Sequence, residues 1–359
     1  MIALVDCNSF FCSVEKVFHP GLNGKPVCVL SCNDGCIVAL TPEAKALGLR
    51  RGDPIFKKKD IVQHYGVKLF STNMYLYAAM SKRVNNILRS AVPHSEVYSI
   101  DESFLYLDGL EKFHNLEDYM RGVVEKVRLY TNIPVSVGIA HTKTLAKIGS
   151  KFAKQYKGYR SVCMIDNEDK RRKALALFKL ADVWGIGKQT LAKLNYLGIR
   201  TPLEFANKKE SWVRSHFTKP GLQTWKELNG ISCIDTSEVA QRQTICTSRS
   251  FGNLVMDYDA LQASVASFAG SCANQATGTA LADFGRDGLC VEQPLPGGPS
   301  SVLQRADQDP AHADLGYDRN YAGGAGCAEG DLPGRHQLQE DGSHSRRHHR
   351  CFLYPAESL

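Results

Sequence analysis

The sequence has 359 residues, of which 43% are hydrophobic and 23% charged, values that are ordinary for a globular protein of two to four domains. No apolar run approaches the roughly 18 residues that a membrane-spanning helix needs, and the N-terminus lacks the basic segment of a secretory signal. The 12 cysteines are scattered and form no paired framework. We therefore expect a cytoplasmic protein with reduced thiols and no membrane partner.

Charge and composition change near residue 274. Residues 1–273 carry 37 Lys and Arg against 25 Asp and Glu, whereas residues 274–359 carry 7 Arg, no Lys and 12 Asp and Glu. The basic body suits a polyanionic partner such as nucleic acid. The last 86 residues contain no Ile but 12 Gly and 6 Pro, a composition that predicts a disordered tail. Either a reading-frame shift near Ala273 or a natural Gly-rich tail would produce it.

Strand-like and helix-like segments alternate along the first 160 residues, which indicates an α+β sheet with helices on one face. The predicted elements are strands at 2–6, 27–30, 37–40 and 133–140, helices at 42–49, 74–90 and 117–131, and two strand-like runs that meet at Asp101 and Glu102.

Three acids lie within apolar strand-like runs. Asp6 ends the first strand, and Asp101 and Glu102 join the two runs near residue 100. Because a buried, unpaired carboxylate is costly, a divalent cation is one explanation for all three. Carboxylate oxygens suit Mg²⁺, and two such ions can activate a hydroxyl and hold a leaving group in line. The alternative is a strand-end acid and a turn pair with no metal.

A helix that starts at Thr142 carries apolar and basic faces. Leu145, Ile148 and Phe152 lie on one face, and three lysines lie on another. For Lys147 and Lys151 we interpret the basic face as solvated.

Residues 181–199 have the pattern of a helix-hairpin-helix motif. Gly185 and Gly187 permit a tight turn, and the backbone N–H groups there can hold a DNA phosphate without reading bases, together with Lys188. A purely structural helical hairpin is the alternative. Thr201-Pro-Leu-Glu204 predicts a further helix that begins with a capping box.

Several short motifs occur in one order, and as a set they are specific. They are Asp6-Cys-Asn-Ser-Phe-Phe11, Asn33-Asp-Gly-Cys36, Glu43-Ala-Lys-Ala-Leu-Gly48, Ser99-Ile-Asp-Glu-Ser103, Val137-Gly-Ile-Ala-His-Thr-Lys-Thr-Leu-Ala-Lys147, Gly185-Ile-Gly187 and Ser248-Arg-Ser-Phe-Gly252. Over about residues 1–273 the set resembles the Y-family of translesion DNA polymerases, and in its detail the UmuC group.

The resemblance implies an α+β right-hand polymerase fold. Its parts would be a ferredoxin-like palm (1–10 and 73–164), small fingers (11–72), a helix-hairpin-helix thumb (165–232), a linker (233–242), an incomplete little finger (243–273) and the tail (274–359).

The resemblance also implies roles for individual residues. The implied ligands of two Mg²⁺ ions are Asp6, Asp101, Glu102 and the backbone carbonyl of Cys7. Phe10 and Phe11 fall at nucleotide-binding positions; Phe11 is at the steric-gate position that selects deoxynucleotides, and a core-packing role fits Phe10 better than Phe11. Lys45 and Lys154 fall at triphosphate-binding positions.

The implied activity is error-prone, template-directed DNA synthesis past damaged bases, in DNA repair and SOS mutagenesis. Primer-template DNA and dNTP would be the substrates, and a UmuD-type dimer, RecA and the sliding clamp would be partners. One alternative is a catalytically impaired DNA-binding remnant, because the little finger is incomplete; another is a nucleotide cyclase. We expect weakened DNA holding and low processivity.

Overall fold

The computed structural model describes residues 1–236, 246–247, 257–277, 290–294 and 301–305. The chain divides into two compact units, Met1–Val239 and Ala240–Leu359. The elements of the first unit are, in chain order, β1 Ile2–Cys7, α1 Phe10–Phe18, β2 Val27–Leu30, β3 Ile37–Leu40, α2 Pro42–Ala46, α3 Lys59–His64, β4 Lys68–Phe70, α4 Met74–Arg89, β5 His94–Val97, β6 Glu102–Tyr106, α5 Leu116–Thr131, β7 Val135–Ala140, α6 Lys143–Gln155, β8 Val162–Ile165, α7 Glu168–Leu177, α8 Lys188–Tyr196, α9 Pro202–Ala206, α10 Glu210–His216 and α11 Lys219–Leu228.

A five-stranded sheet of order β5-β6-β1-β7-β8 forms the centre of this unit. Strand β1 is antiparallel to both of its neighbours, β6 and β7, while β7 and β8 are parallel and joined by α6. The mixed α+β class predicted from the sequence is confirmed, and so are the strands and long helices predicted for the first 140 residues, within a few residues at their ends.

Helices cover both faces of this sheet, so the prediction of helices on one face only is wrong. Ala3 and Val5 of β1 pack with residues of α4 and α5, whereas Ile2 and Leu4 pack with α6 and the helices after residue 168. Alternate strand residues point to opposite faces, and β1 is apolar at both sets of positions. A continuous apolar run of this kind is typical of a strand that is buried on both sides.

A smaller sheet of order β3-β2-β4 carries the short helices α2 and α3. The predicted hairpin is present as the antiparallel pair β2–β3, and β4 adds in parallel to β2. Helix α2 ends at Ala46, earlier than predicted, and Gly48 follows with a positive φ of 84°. This sheet has its own apolar cluster, which includes Cys28, Ile37 and Leu49.

Helices α7 to α11 form a region that packs on the α6 face of the central sheet. Leu175, Leu194, Phe205 and Leu228 of these helices share one apolar cluster with β1 and α6. The predicted capping box of α9 is confirmed, because the Thr201 side chain accepts from the Glu204 N–H and the Glu204 side chain accepts from the Thr201 N–H. No described helix is long and apolar enough to span a membrane.

The second unit is described only in part. Helix α12 covers Tyr258–Thr277, and the strands β9 (Cys290–Pro294) and β10 (Ser301–Arg305) pair antiparallel. These two strands fall within the range predicted as a disordered tail, and they flank a Pro- and Gly-rich stretch that is a typical turn signal. Most of the rest of that tail, and residues 243–245 and 248–256 of the predicted little finger, lie outside the described residues.

The close packing of β7 against α6 at Gly138 can be tested by substitution. A Cβ atom on Gly138 would lie 1.9 Å from the Ala146 carbonyl oxygen and 2.1 Å from the Ser150 amide nitrogen, both of them backbone atoms. We expect Gly138→Ala to lower the free energy of unfolding by at least about 3 kcal/mol, measured by urea denaturation.

The matched control is Gly122→Ala. Gly122 lies within α5, and a Cβ there meets nothing within 4 Å, so this change should stabilise the protein by up to about 1 kcal/mol. Equal effects of the two substitutions would contradict the close contact of β7 with α6.

Candidate active site

Asp6 and Glu102 stand opposite each other on neighbouring strands. In the antiparallel pairing of β1 with β6, Asp6 is the register partner of Glu102, and Leu4 is the partner of Phe104. Directly paired residues point to the same face, so both acids lie on the face that α6 covers. Their side chains are 24% and 22% exposed, so they are accessible at the end of the sheet.

Asp101 is held beside the end of β1 by its backbone and by Ser99. The Cys7 N–H donates to the Asp101 carbonyl at 2.9 Å. The Ser99 hydroxyl donates to Asp101 Oδ1 at 2.6 Å and accepts from the N–H groups of Asp101 (3.3 Å) and Glu102 (3.0 Å). Ser99 therefore fixes the loop between β5 and β6. No role for Ser99 is predicted from the sequence, although a serine two residues before an acid is a recognisable turn signal.

Cys7 contributes backbone rather than thiol chemistry. Burial, together with the negative charges of Asp6 and Asp101, raises the pKa of the Cys7 thiol, which therefore stays protonated. A protonated thiol is not a metal ligand, whereas a carbonyl oxygen suits a hard cation. Cys7 thus fits its predicted role through the carbonyl only.

The donor set of three carboxylates and one carbonyl matches the oxygen ligands that Mg²⁺ prefers. In the part of the chain that the structure describes, however, no three Asp, Glu, His or Cys side chains are grouped tightly enough to hold a metal ion. Asp6 Oδ1 is instead paired with Lys154 Nζ at 3.0 Å, and Glu102 Oε2 with Lys147 Nζ at 2.6 Å. The backbone register brings the acids together, and lysines supply the compensating charge.

The interpretation of Lys147 as part of a solvated face is wrong. Its side chain is only 15% exposed, and besides Glu102 it contacts the aromatic rings of Tyr98 and Trp184. Lys151 is 45% exposed, but its ammonium pairs with Asp182 at 2.7 Å. Helical periodicity identifies which lysines share a face, but it cannot identify the acids that meet them from other elements.

A group of cations lies close to Asp6. Partial desolvation of the Lys45 ammonium on α2, followed by the positive charges of Lys154 and Arg51, lowers its pKa. The negative charge of Asp6, whose Oδ1 pairs with Lys154 Nζ, opposes this decrease. Several like charges in one place favour an anion of high charge.

Phe10 and Phe11 begin helix α1 and occupy different environments. Phe10 is buried in the core with α4 and α5. Phe11 is partly exposed and stacks on Tyr77, with ring centroids 4.3 Å apart and an interplanar angle of 14°. The Tyr77 hydroxyl donates to the buried Glu15 at 2.7 Å, which fixes the ring on which Phe11 lies.

The glycines of the helix-hairpin-helix pattern lie between Asp182 and α8. Gly185 has a φ of +90°, and a Cβ there would lie 2.3 Å from Thr224 Oγ1, so the turn requires glycine. Gly187 is the N-cap of α8 and brings no side chain to its first N–H groups, and Lys188 is the first helical residue. This arrangement leaves donors and a cation at one helix end.

Comparison with solved structures shows the fold. A Y-family DNA polymerase chimera of Dbh and Dpo4 superposes with a TM-score of 0.65 at 23% identity. The aligned region covers 90% of this chain and 91% of the chimera. The insertion ternary complex of Dbh DNA polymerase gives 0.57 at 21% identity with the same coverage. The protein therefore has the fold of the Y-family DNA polymerases.

Sequence comparison is more specific. Residues 5–151 match the impB/mucB/samB family. Protein UmuC of Salmonella typhimurium is 43% identical over 280 residues, which cover 77% of this chain and 66% of that protein, and Protein ImpB of the same organism is 42% identical with the same coverage. The chain belongs to the impB/mucB/samB family, and it spans 66% of the length of these relatives.

A buried ion pair at the first residue of α6 generates a test of stability. Glu96 accepts from Lys143 Nζ at 2.8 Å, from the Tyr106 hydroxyl at 3.1 Å and from the Thr236 hydroxyl. Burial opposes both charges, yet the hydrogen bond between them holds the pKa of Glu96 below its usual range and that of Lys143 above it.

We expect Glu96→Gln to cost about 3 kcal/mol of unfolding free energy at pH 7, because it leaves a buried ammonium without its carboxylate. A depressed carboxyl pKa stabilises the fold above the pKa of the unfolded chain and loses that contribution as pH falls through the folded value. The variant should therefore lose less stability than the parent between pH 7 and pH 3. The exposed Glu125, paired with Arg128, gives the control: Glu125→Gln should change stability by less than about 0.5 kcal/mol.

Proposed function

We propose that this chain is a DNA-directed DNA polymerase of the UmuC type that carries out error-prone translesion synthesis in DNA repair and SOS mutagenesis. The observation that supports it most directly is the pairing of Asp6 with Glu102 on adjacent central strands, with Asp101 anchored to Cys7 beside them. An acidic strand end of this kind, next to a basic group, suits transfer of a nucleotide from a triphosphate.

In this proposal two Mg²⁺ ions are held by the carboxylates of Asp6, Asp101 and Glu102 and by the Cys7 carbonyl. When bound, such ions activate the 3′-hydroxyl and stabilise charge on the leaving pyrophosphate. The chain itself positions the acids: the β1–β6 register fixes Asp6 and Glu102, and the Ser99 hydroxyl orients Asp101.

Lys45, Arg51 and Lys154 would bind the triphosphate of the incoming dNTP. Lys154 is 36% exposed and pairs with Asp6, so its ammonium can turn to a phosphate oxygen when Asp6 binds a metal ion. Lys45 carries unfavourable repulsion from Lys154 and Arg51, and an anion placed among the three relieves it.

Primer-template DNA would contact the turn at Gly185 and Gly187 and the start of α8. The N–H groups there and the Lys188 ammonium suit a backbone phosphate, which gives position without base specificity. Residues 165–232 would then act as the thumb, 11–72 as the fingers and 1–10 with 73–164 as the palm.

We further propose that a UmuD-type dimer, RecA and the sliding clamp act with this chain in the cytoplasm, on the strength of the likeness to UmuC. Cys7, Cys12 and Cys28 are buried free thiols, which suits a reducing compartment.

The test is primer extension on a defined template with Mg²⁺, followed on a gel. The parent should add template-directed nucleotides, and Asp101→Ala should lower the rate at least about 100-fold, because a metal ligand is lost. Asp169→Ala removes an exposed acid of α7 and should leave the rate unchanged. A parent that binds DNA but extends no primer would favour the DNA-binding remnant.

A second test concerns sugar selection. Phe11→Ala should lower the preference for dNTP over rNTP by roughly tenfold or more, because the ring that would meet the 2′-hydroxyl is removed. The measurement is kcat/KM for matched dNTP and rNTP insertion. Phe10→Leu changes the buried neighbour and should keep the preference, although it costs stability. Unchanged selectivity in the Phe11 variant would refute this assignment.

A further inference from the structure

Lys147 lies in an aromatic cage formed by the rings of Tyr98, Phe104 and Trp184. Its Nζ atom is 4.4 Å from the centroid of Tyr98, 5.1 Å from that of Trp184 and 5.8 Å from that of Phe104. The rings also contact each other, with Tyr98 and Trp184 in an edge-on arrangement at 5.5 Å. Each ring face attracts the ammonium, so the cage holds Lys147 in place.

This environment distinguishes Lys147 from the other lysine that binds a predicted ligand. Lys154 is 36% exposed and reaches Asp6 at 3.0 Å, whereas Lys147 is 15% exposed and reaches Glu102 at 2.6 Å. Within the described residues no aromatic ring lies over Lys154. Lys154 can therefore leave its acid, while Lys147 is fixed against Glu102.

The cage joins three parts of the unit. Tyr98 belongs to the loop between β5 and β6 that carries Asp101, Phe104 belongs to β6, and Trp184 directly precedes Gly185 of the helix-hairpin-helix turn. Trp184 contacts Lys147, and Lys147 contacts Glu102. Two side-chain contacts therefore link Glu102 to the turn where we place a DNA phosphate.

We propose that Lys147 is a positioning residue for Glu102, and that Trp184 couples its placement to the helix-hairpin-helix turn. This inference rests on the proposed function. Lys147 holds Oε2 of the carboxylate and leaves Oε1 as the remaining ligand atom, so Glu102 presents a single oxygen in one orientation. The ammonium itself does not touch substrate and repels a divalent cation, so it lowers metal affinity while it improves geometry.

Removal of the Lys147 charge should therefore raise metal affinity and lower kcat, whereas loss of folding would lower both. Lys147→Met keeps the length and apolar body of the side chain and removes the charge. We expect the full chain with this change to bind Mn²⁺ alone about threefold or more tightly than the parent, measured by electron paramagnetic resonance of free Mn²⁺. In single-nucleotide insertion at saturating Mg²⁺, kcat should fall about tenfold or more while KM for dNTP stays within about threefold.

Two more variants and a control complete the design. Lys147→Arg keeps the charge and should retain Mn²⁺ affinity and recover part of kcat. Trp184→Leu should lower kcat with Mn²⁺ affinity unchanged, because the ammonium remains. Lys170→Met removes a lysine from an ion pair of similar length, 2.8 Å to Asp166, and should change neither quantity.

Three results would overturn the inference. If Lys147→Met binds Mn²⁺ more tightly with unchanged kcat, Lys147 only competes with the metal ion for Glu102 and does not position it. A loss confined to KM for dNTP would make it a triphosphate ligand, and a joint fall of metal affinity and kcat would indicate structural damage. If the parent extends no primer, the proposed function fails, and Mn²⁺ affinity alone then decides whether Lys147 controls Glu102.

Discussion

The register between β1 and β6 is the constraint on which the site depends. Side chains alternate along a strand, so a slip of one residue would turn Glu102 to the opposite face and separate it from Asp6. The apolar residues beside the acids prevent such a slip. Leu4 and its partner Phe104 are buried under α6, and Val5 packs with α4 and α5 on the other face. The core therefore fixes the acids, although the acids contribute nothing to the core.

Helix α6 balances the negative charge that this arrangement concentrates. Four of its lysines pair with acids from other elements: Lys143 with Glu96, Lys147 with Glu102, Lys151 with Asp182 and Lys154 with Asp6. Exposure rises along the helix from the buried Lys143 to the half-exposed Lys151 and Lys154. The first two pairs therefore fix structure, and the last two can exchange partners, because exposed pairs contribute little stability. One helix thus combines a rigid end and an adaptable end.

The sequence allowed much of this to be predicted. The strands, the long helices and the capping box of α9 follow from local periodicity and end signals. The ordered motifs single out Asp6, Glu102 and Lys154, which the fold brings together. The partners of Lys147 could not be predicted, because Glu102 and Trp184 are distant in sequence and meet it only in the fold. Coverage of both sheet faces was missed for a different reason. The apolar run of β1 is typical of a strand that is buried on both faces, but the periodicity of a helix does not show which face of the sheet that helix covers.

The contacts of Glu227 show most clearly that helical periodicity does not predict tertiary contacts. On α11 it occupies an unremarkable helical position, yet it is buried, and its carboxylate accepts from the N–H groups of Thr144, Cys233 and Ile234 at 2.9–3.2 Å. Its backbone carbonyl also accepts from the Thr142 hydroxyl. One buried charge, stabilised by the helix N-terminus and by hydrogen bonds, thus fixes both the start of α6 and the chain that follows α11. Since α6 carries Lys147 and Lys154, the residues that hold the acids are tied to the helices that would hold DNA. The orientation of the acids and the placement of the helix-hairpin-helix turn are therefore properties of a single packed unit.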